Sequence, residues 1–177
     1  MLSFQATDLQ DVVLVETGAH RDERGGFARL YCPEAFAKAG IAFTPSQINL
    51  STNTLRHTLR GLHFQAPPRA EAKFVRVVTG AIHDVVLDLR PDSPSYRRWQ
   101  AFELSADNLR GLFIPEGCAH GFLTLEDDTG VLYQMGRPYE PGHAAGIRYD
   151  DPAFAIDWPA APVSISRADQ EWPLFVG

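Results

Sequence analysis

The stretch from Arg60 to Lys73, RGLHFQAPPRAEAK, carries one imidazole at His63, an amide at Gln65 and a single ammonium at Lys73. An imidazole that titrates near neutrality can take a proton from carbon if the charge left behind is held on an adjacent oxygen, and a buried ammonium is suited to hold it. His63 and Lys73 form such a pair. The competing reading is a metal centre. Metal-binding β-barrels commonly supply an H-x-H pair, a glutamate a few residues on, and a last histidine after a P-x-G-x-x-H turn. PEGCAH, from Pro115 to His120, matches that last part. In the first part Gln65 replaces the second histidine and Lys73 the glutamate. A protonated amine repels a divalent ion and offers it no lone pair, so the remaining donors would hold zinc or iron poorly. The chain is therefore expected to work with no metal and no other cofactor.

Inversion at a carbon needs a proton donor on the face opposite the base, and the phenol of Tyr133, in VLYQMG, could serve. Asp169, in SRAD, could orient and polarise His63 as carboxylates do in histidine dyads. Each residue also has a plainer reading: a satisfied core histidine, a solvated strand-end lysine, a half-buried aromatic, a solvated tail aspartate.

The elements that must position these side chains read as β-strands. Short runs rich in Val, Ile, Leu and Phe recur between Gly, Pro, Asp and Asn, and predict strands over 11–16, 26–32, 47–51, 58–65, 73–80, 81–90, 99–105, 111–117, 119–125 and 130–136. The 73–90 segment reads as two strands about a tight turn at Thr79-Gly80. Only PEAFAKAG, 33–40, resembles a helix, with Pro33 in its first turn and Gly40 just past its end. So many strands in 177 residues predict one all-β domain over 1–177, a closed barrel or double-sheet jelly roll. The proline-rich tail from 158 to 177 is too irregular to read as a strand and is expected to pack across the barrel.

A net charge of −6 gives no footprint for nucleic acid or an anionic membrane. No apolar run approaches the roughly 20 residues of a membrane span, and the first ten residues lack the character of a secretory signal, so a cytoplasmic protein is expected. Cys32 and Cys118 lie outside any C-x-x-C pairing and are read as small buried or half-buried residues.

DERGGF, LRGLHFQ, KFVRVVTGAIHDVVLDLR, SADNLRGLFIPEGCAHGF, LYQMGRPYEPGH, GIRYDDPAFAIDWP and SRAD, in that order over about residues 8–172, resemble the dTDP-4-dehydrorhamnose 3,5-epimerase family. The resemblance implies a cupin-type jelly-roll barrel, a homodimer with the site inside each barrel, and a nucleotide-diphosphate-linked 4-keto-6-deoxysugar as substrate. It implies His63 as general base with Asp169 as its dyad partner, Lys73 as stabiliser of the enolate and Tyr133 as the acid. It further implies that His120 lies in the sugar pocket, that Tyr139 affects whether C5 is reached, and that Arg24 and Arg60 contact the diphosphate. Gln47 and Asn49 match pocket-lining positions, and Phe27 and Arg29 fall in the substrate-binding run after DERG. The chain departs from the family at Arg29, Pro138, Ala144 and Ala168, where a glutamate, a tyrosine, a glutamate and a lysine are usual. All four fall on nucleotide- or sugar-contacting positions, so the chemistry is kept while the choice of nucleotide and sugar stays open. A sugar-nucleotide 3,4-ketoisomerase is an alternative that Gln65 weakens, since that chemistry commonly uses H-x-H. A non-catalytic sugar-nucleotide-binding barrel is a second.

Overall fold

The computed structural model of the chain describes residues 1–176. In chain order its strands are β1 (Leu2–Ala6), β2 (Val13–Thr17), β3 (Ala19–Asp22), β4 (Gly25–Ala28), β5 (Gln47–Asn53), β6 (Thr58–Gln65), β7 (Lys73–Thr79), β8 (Ala81–Asp88), β9 (Trp99–Ser105), β10 (Gly111–Ile114), β11 (Cys118–Thr124), β12 (Thr129–Met135), β13 (Ala144–Gly146) and β14 (Ser164–Ile165). Helix α1 (Pro33–Lys38) precedes β5, and α2 (Arg167–Gln170) follows β14. One six-stranded sheet runs β1-β2-β10-β7-β12-β5 and faces a second, β13-β6-β11-β8-β9, with β14 added beside β6. Strands β3 and β4 form a separate two-stranded ribbon. This is the all-β jelly roll that the strand spacing anticipates.

The period of two along each strand explains how the sheets close. Val75 and Val77 of β7, Leu112 and Ile114 of β10 and Val131 of β12 meet Ile82 and Val86 of β8, Leu104 of β9 and Phe122 of β11 in one buried cluster between the sheets. Fully burying each such side chain is worth about 1.5–3 kcal/mol. The outward residues of the central strands are covered too. Val15, Phe74 and Phe113 are capped by Phe36, Ile41 and Phe43, with the Phe36 and Phe74 rings 5.0 Å apart and edge-on, which gives α1 its reason to dock. On the other sheet Leu62, Val85, Leu87 and Ala119 are covered by Ile147, Phe154, Trp158 and Phe175. Gly177, the end of the tail segment, lies outside the described residues.

The two strands about the turn at Thr79-Gly80 form as expected, with Gly80 at φ +73°, while the sequence left open that β7 and β8 belong to different sheets. Both faces of β8 are buried, so the turn hands the chain from one sheet to the other instead of extending either. Several expectations need correction. The strand expected over 26–32 stops at Ala28. Beyond it the Leu30 carbonyl accepts from the Arg76 guanidinium at 3.1 Å and the Tyr31 hydroxyl donates to the Phe43 carbonyl at 2.6 Å, so that backbone is committed elsewhere. The tail does contain regular structure, β14 and α2; it pairs in parallel with β6, a partner far away in sequence. Strands β1, β3 and β13 had no clear sequence signal. Helix α1 and both cysteine environments fall as expected, Cys118 buried and Cys32 partly so.

Gly61 sits where β6 and β11 approach most closely. Its φ is +128°, and a Cβ there would stand 2.4 Å from the Cα of Gly121. Gly61→Ala is expected to cost at least about 1–3 kcal/mol, read as a lower urea midpoint; an unchanged midpoint would contradict this packing.

Candidate active site

A cavity of about 440 Å³ lies between the sheets, a size suited to a small organic ligand. The strand registers explain its walls. On one sheet Asn49 of β5, Tyr133 of β12 and Val75 of β7 stand in one cross-strand row, and Gln47, Met135 and Lys73 in the next. On the other, His63 of β6 and His120 of β11 are direct partners. His63, Lys73, Tyr133, Asp169, Asn49, Arg60, His120 and Tyr139 all line this one cavity.

Asp169 reaches the cavity through the first turn of α2. The Ser166 hydroxyl caps that helix by accepting from the Asp169 amide at 3.0 Å, which fixes the aspartate beneath β6. Its carboxylate lies 2.6 Å from His63 Nε2. A carboxylate can only accept, so Nε2 carries the hydrogen and the other ring nitrogen is left with a free lone pair. Burial by itself would raise the Asp169 carboxyl, but hydrogen bonding and charge from His63, with help from the Gly61 amide and Ser166, hold it below the usual carboxylate range. The carboxylate is therefore ionised at neutral pH. The indole of Trp172 closes the other side, with its ring 6.3 Å from the His63 ring and its Nε1 3.4 Å from the same carboxylate.

Lys73 is buried in the opposite wall, 4 % exposed. Its Nζ lies 3.4 Å from the His63 carbonyl and 3.5 Å from Glu71 Oε1. Burial pushes the ammonium below the usual lysine range, while Glu71 opposes that shift. Burial, with Asp84 adding to it, lifts Tyr133 far above the ordinary phenol range, so it stays a protonated donor at any working pH. His120 is paired in its own right, Nε2 to Asp84 Oδ1 at 2.7 Å, both side chains buried. Arg60 spends its Nε on Asn53 at 2.7 Å and stands at the cavity wall.

Four expected site residues are not in this wall. Gln47 acts one step removed, accepting from the Tyr139 amide at 3.2 Å and donating to Asn49 at 2.9 Å. Arg24, Phe27 and Arg29 belong to the β3–β4 ribbon and its continuation, which line separate surface depressions; Arg24 pairs with Asp22 and Phe27 is 77 % exposed. Within this subunit they do not meet the cavity, because the ribbon pairs only with itself. Ala144 and Ala168, where the family resemblance calls for a glutamate and a lysine, do line it and leave that wall short and uncharged.

Three participants escaped the sequence reading: Glu71, Asp84 and Trp172. Asp84 carried a usable signal, since it sits at an inward register between Ile82 and Val86 in an otherwise apolar strand face. Glu71 and Trp172 lie in irregular segments with no period to read. Among the described residues no group of three or more His, Cys, Asp or Glu is arranged to hold a metal ion, and no helix is long and apolar enough to cross a membrane.

The family model described as dTDP-4-dehydrorhamnose 3,5-epimerase matches residues 6–176. A curated protein of that name from Methanothermobacter thermautotrophicus is 41 % identical over 172 residues, covering 96 % of this chain and 92 % of its own. The crystal structure of the Bacillus anthracis enzyme of that name, with TDP and pyrophosphate bound, superposes with a TM-score of 0.96 at 38 % identity, covering 99 % of this chain and all of the other. The dTDP-6-deoxy-D-glucose-3,5-epimerase of Legionella pneumophila, crystallised with dTDP-4-keto-L-rhamnose, superposes with a TM-score of 0.93 at 32 % identity, covering 98 % and 93 %. With the fold, the cavity and these matches in agreement over nearly its whole length, the chain belongs to the dTDP-4-dehydrorhamnose 3,5-epimerase family, isomerases that act on sugar nucleotides.

Proposed function

We propose that the protein inverts C3, C5 or both in a dTDP-linked 4-keto-6-deoxyhexose through an enolate. One observation carries this: a histidine bonded through one ring nitrogen to a carboxylate, a buried ammonium and a half-buried phenol converge on one cavity. The carbons flanking the C4 ketone are acidic only while negative charge is held on the carbonyl oxygen. The free nitrogen of His63 takes the proton from the carbon, and the C–H electron pair moves into the ring as the carbonyl π pair moves onto oxygen. Lys73 faces that oxygen. Asp169 offsets the charge of the imidazolium that forms. Tyr133 then delivers a proton to the opposite face, the ketone re-forms, and the centre is inverted with no net change of oxidation state. The bound ligands of the Bacillus and Legionella structures support a dTDP-sugar as the occupant. A substrate carrying a diphosphate does not cross a bilayer unaided, which supports a cytoplasmic setting.

The nucleotide end of the site draws on a second copy. Arg24 and Phe27 project on an exposed ribbon outside their own cavity, while Ile48 and Leu50 are exposed on β5, an edge strand with one free side. A homodimer in which each ribbon reaches its partner's cavity would cover the apolar edge and bring Arg24, with Arg60, to the diphosphate as forked donors.

Two outcomes test these readings. Tyr133→Phe is expected to keep solvent hydrogen exchange at the carbon that His63 serves while inversion falls by about 10²–10⁴-fold; equal loss of both, with His63 intact, would remove Tyr133 as the separate acid. Mixing Arg24→Ala and His63→Ala subunits, each inactive alone, should restore roughly a quarter of the wild-type rate in randomly exchanged dimers, because one site per hybrid regains both residues. No recovery despite proven subunit exchange would return Arg24 to its own cavity or remove it from the site.

A further inference from the structure

Glu71 is a buried carboxylate that the reaction above does not use. Its side chain is 7 % exposed and lies in the cavity wall beside Lys73, whose side chain is 5 % exposed. Glu71 stands just before β7 and Lys73 opens it, and both side chains line the same cavity wall. Glu71 Oε1 faces the Lys73 ammonium at 3.5 Å, and Oε2 accepts from Gln65 Nε2 at 2.7 Å. The orientation of Gln65 is fixed from both ends, since its Oε1 accepts from the Glu140 amide at 2.9 Å. A carboxylate can only accept and an amide N–H only donate, so the Gln65 amide cannot be reversed. The amide at position 65, read from sequence as a missing metal ligand, is thus a clamp that holds an anion against the cavity's one lysine.

We propose that Glu71, clamped by Gln65, is a positioning residue that keeps the Lys73 ammonium charged and aimed at the space where the substrate's carbonyl oxygen sits. The inference rests on the enolate reading of this cavity. An ammonium taken out of water is driven to shed its proton unless an anion stands close by, and a neutral amine stabilises an enolate poorly. The other groups facing Lys73 do not replace Glu71. Asp84 of β8 is engaged with His120, and burial pushes the Cys118 thiol of β11 up to about 12, so it is neutral. His63 presents its carbonyl, and Tyr133 is a neutral phenol. Gln65 also ties this pair to the segment that carries Tyr139, because its partner Glu140 is the next residue.

The chain has only two lysines, Lys38 and Lys73, so protein made with lysine isotopically labelled at Cε gives two NMR signals, and Lys38→Arg assigns them. In Glu71→Gln, close in shape but uncharged, Lys73 is expected to titrate at least about one pH unit lower than in the wild type. The alkaline fall of kcat should move down with it, while affinity for dTDP, which does not reach the carbonyl subsite, stays within twofold. Glu71→Asp, which keeps the charge at a longer reach, should lie between the two and serves if the glutamine variant does not fold. Lys73 titrating at the same pH in all three proteins would overturn the proposal. A lower Lys73 titration with an unmoved kcat profile would leave the Glu71–Lys73 coupling standing and overturn the enolate role of Lys73 instead.

Discussion

The cavity holds ionisable side chains inside a β-barrel whose remaining interior is apolar, and a charge in such a place is tolerated only with a partner. Three pairs meet that demand: His63 with Asp169, His120 with Asp84, and Lys73 with Glu71. Removing one member of a buried pair typically costs about 3–5 kcal/mol, because the other is left uncompensated; that holds for His120–Asp84 and Lys73–Glu71, whereas the half-exposed His63 is partly screened by solvent. The pairs therefore constrain the fold as strongly as they serve the chemistry. The His63–Asp169 contact spans 106 residues and ties a central strand to the last helix, so the tail must cross β6 for the site to exist.

Each pair also decides what its reactive member presents. Asp169 occupies Nε2 of His63, so the other ring nitrogen is the one available to a ligand. Tyr133 has no carboxylate hydrogen-bond partner among the described residues and is held in its neutral, proton-bearing form by its surroundings. The proposed base and acid, His63 and Tyr133, come from opposite sheets, β6 and β12, and both line the cavity between them, an arrangement that inversion at carbon would use. The short walls at Ala144 and Ala168 lie on this same cavity, Ala168 next to Asp169 in the chain and Ala144 opposite Gln65 in register. Variation there can alter which sugar or nucleotide fits while all three charged pairs are kept.

The parts of this that a sequence can carry are those with a period or a motif. Strands such as 58–65 and 119–125 alternate or run apolar between turn residues and were legible; that their register sets His63 and His120 side by side was not. Asp169 was legible as a carboxylate in SRAD that the family resemblance pairs with His63; the short helix that Ser166 caps there was not, since only 33–40 was expected to be helical. The tight turn at Gly80 and its two strands were legible, but the sheet each strand joins was not, because a tight turn between two apolar strands looks the same whether it joins neighbours or passes the chain between sheets. Glu71 and Trp172 were invisible for a related reason: their importance arises from contacts across the barrel, in segments with no local regularity. The ribbon residues Arg24, Phe27 and Arg29 were picked out as site residues, yet no local pattern in the sequence says where a two-stranded ribbon will stand, and here they lie outside the cavity.

The central claim is that the imidazole at position 63 removes hydrogen from carbon. Its most direct test is to incubate the protein in deuterated water with dTDP-4-keto-6-deoxyglucose and follow label at C3 and C5 by NMR, for the wild type and for His63→Ala. Label should enter at one or both carbons with the wild type and at neither with the variant, whose affinity for dTDP should stay close to that of the wild type. Label entering at the wild-type rate in the variant would contradict the account, and so would its absence from both carbons with the wild type.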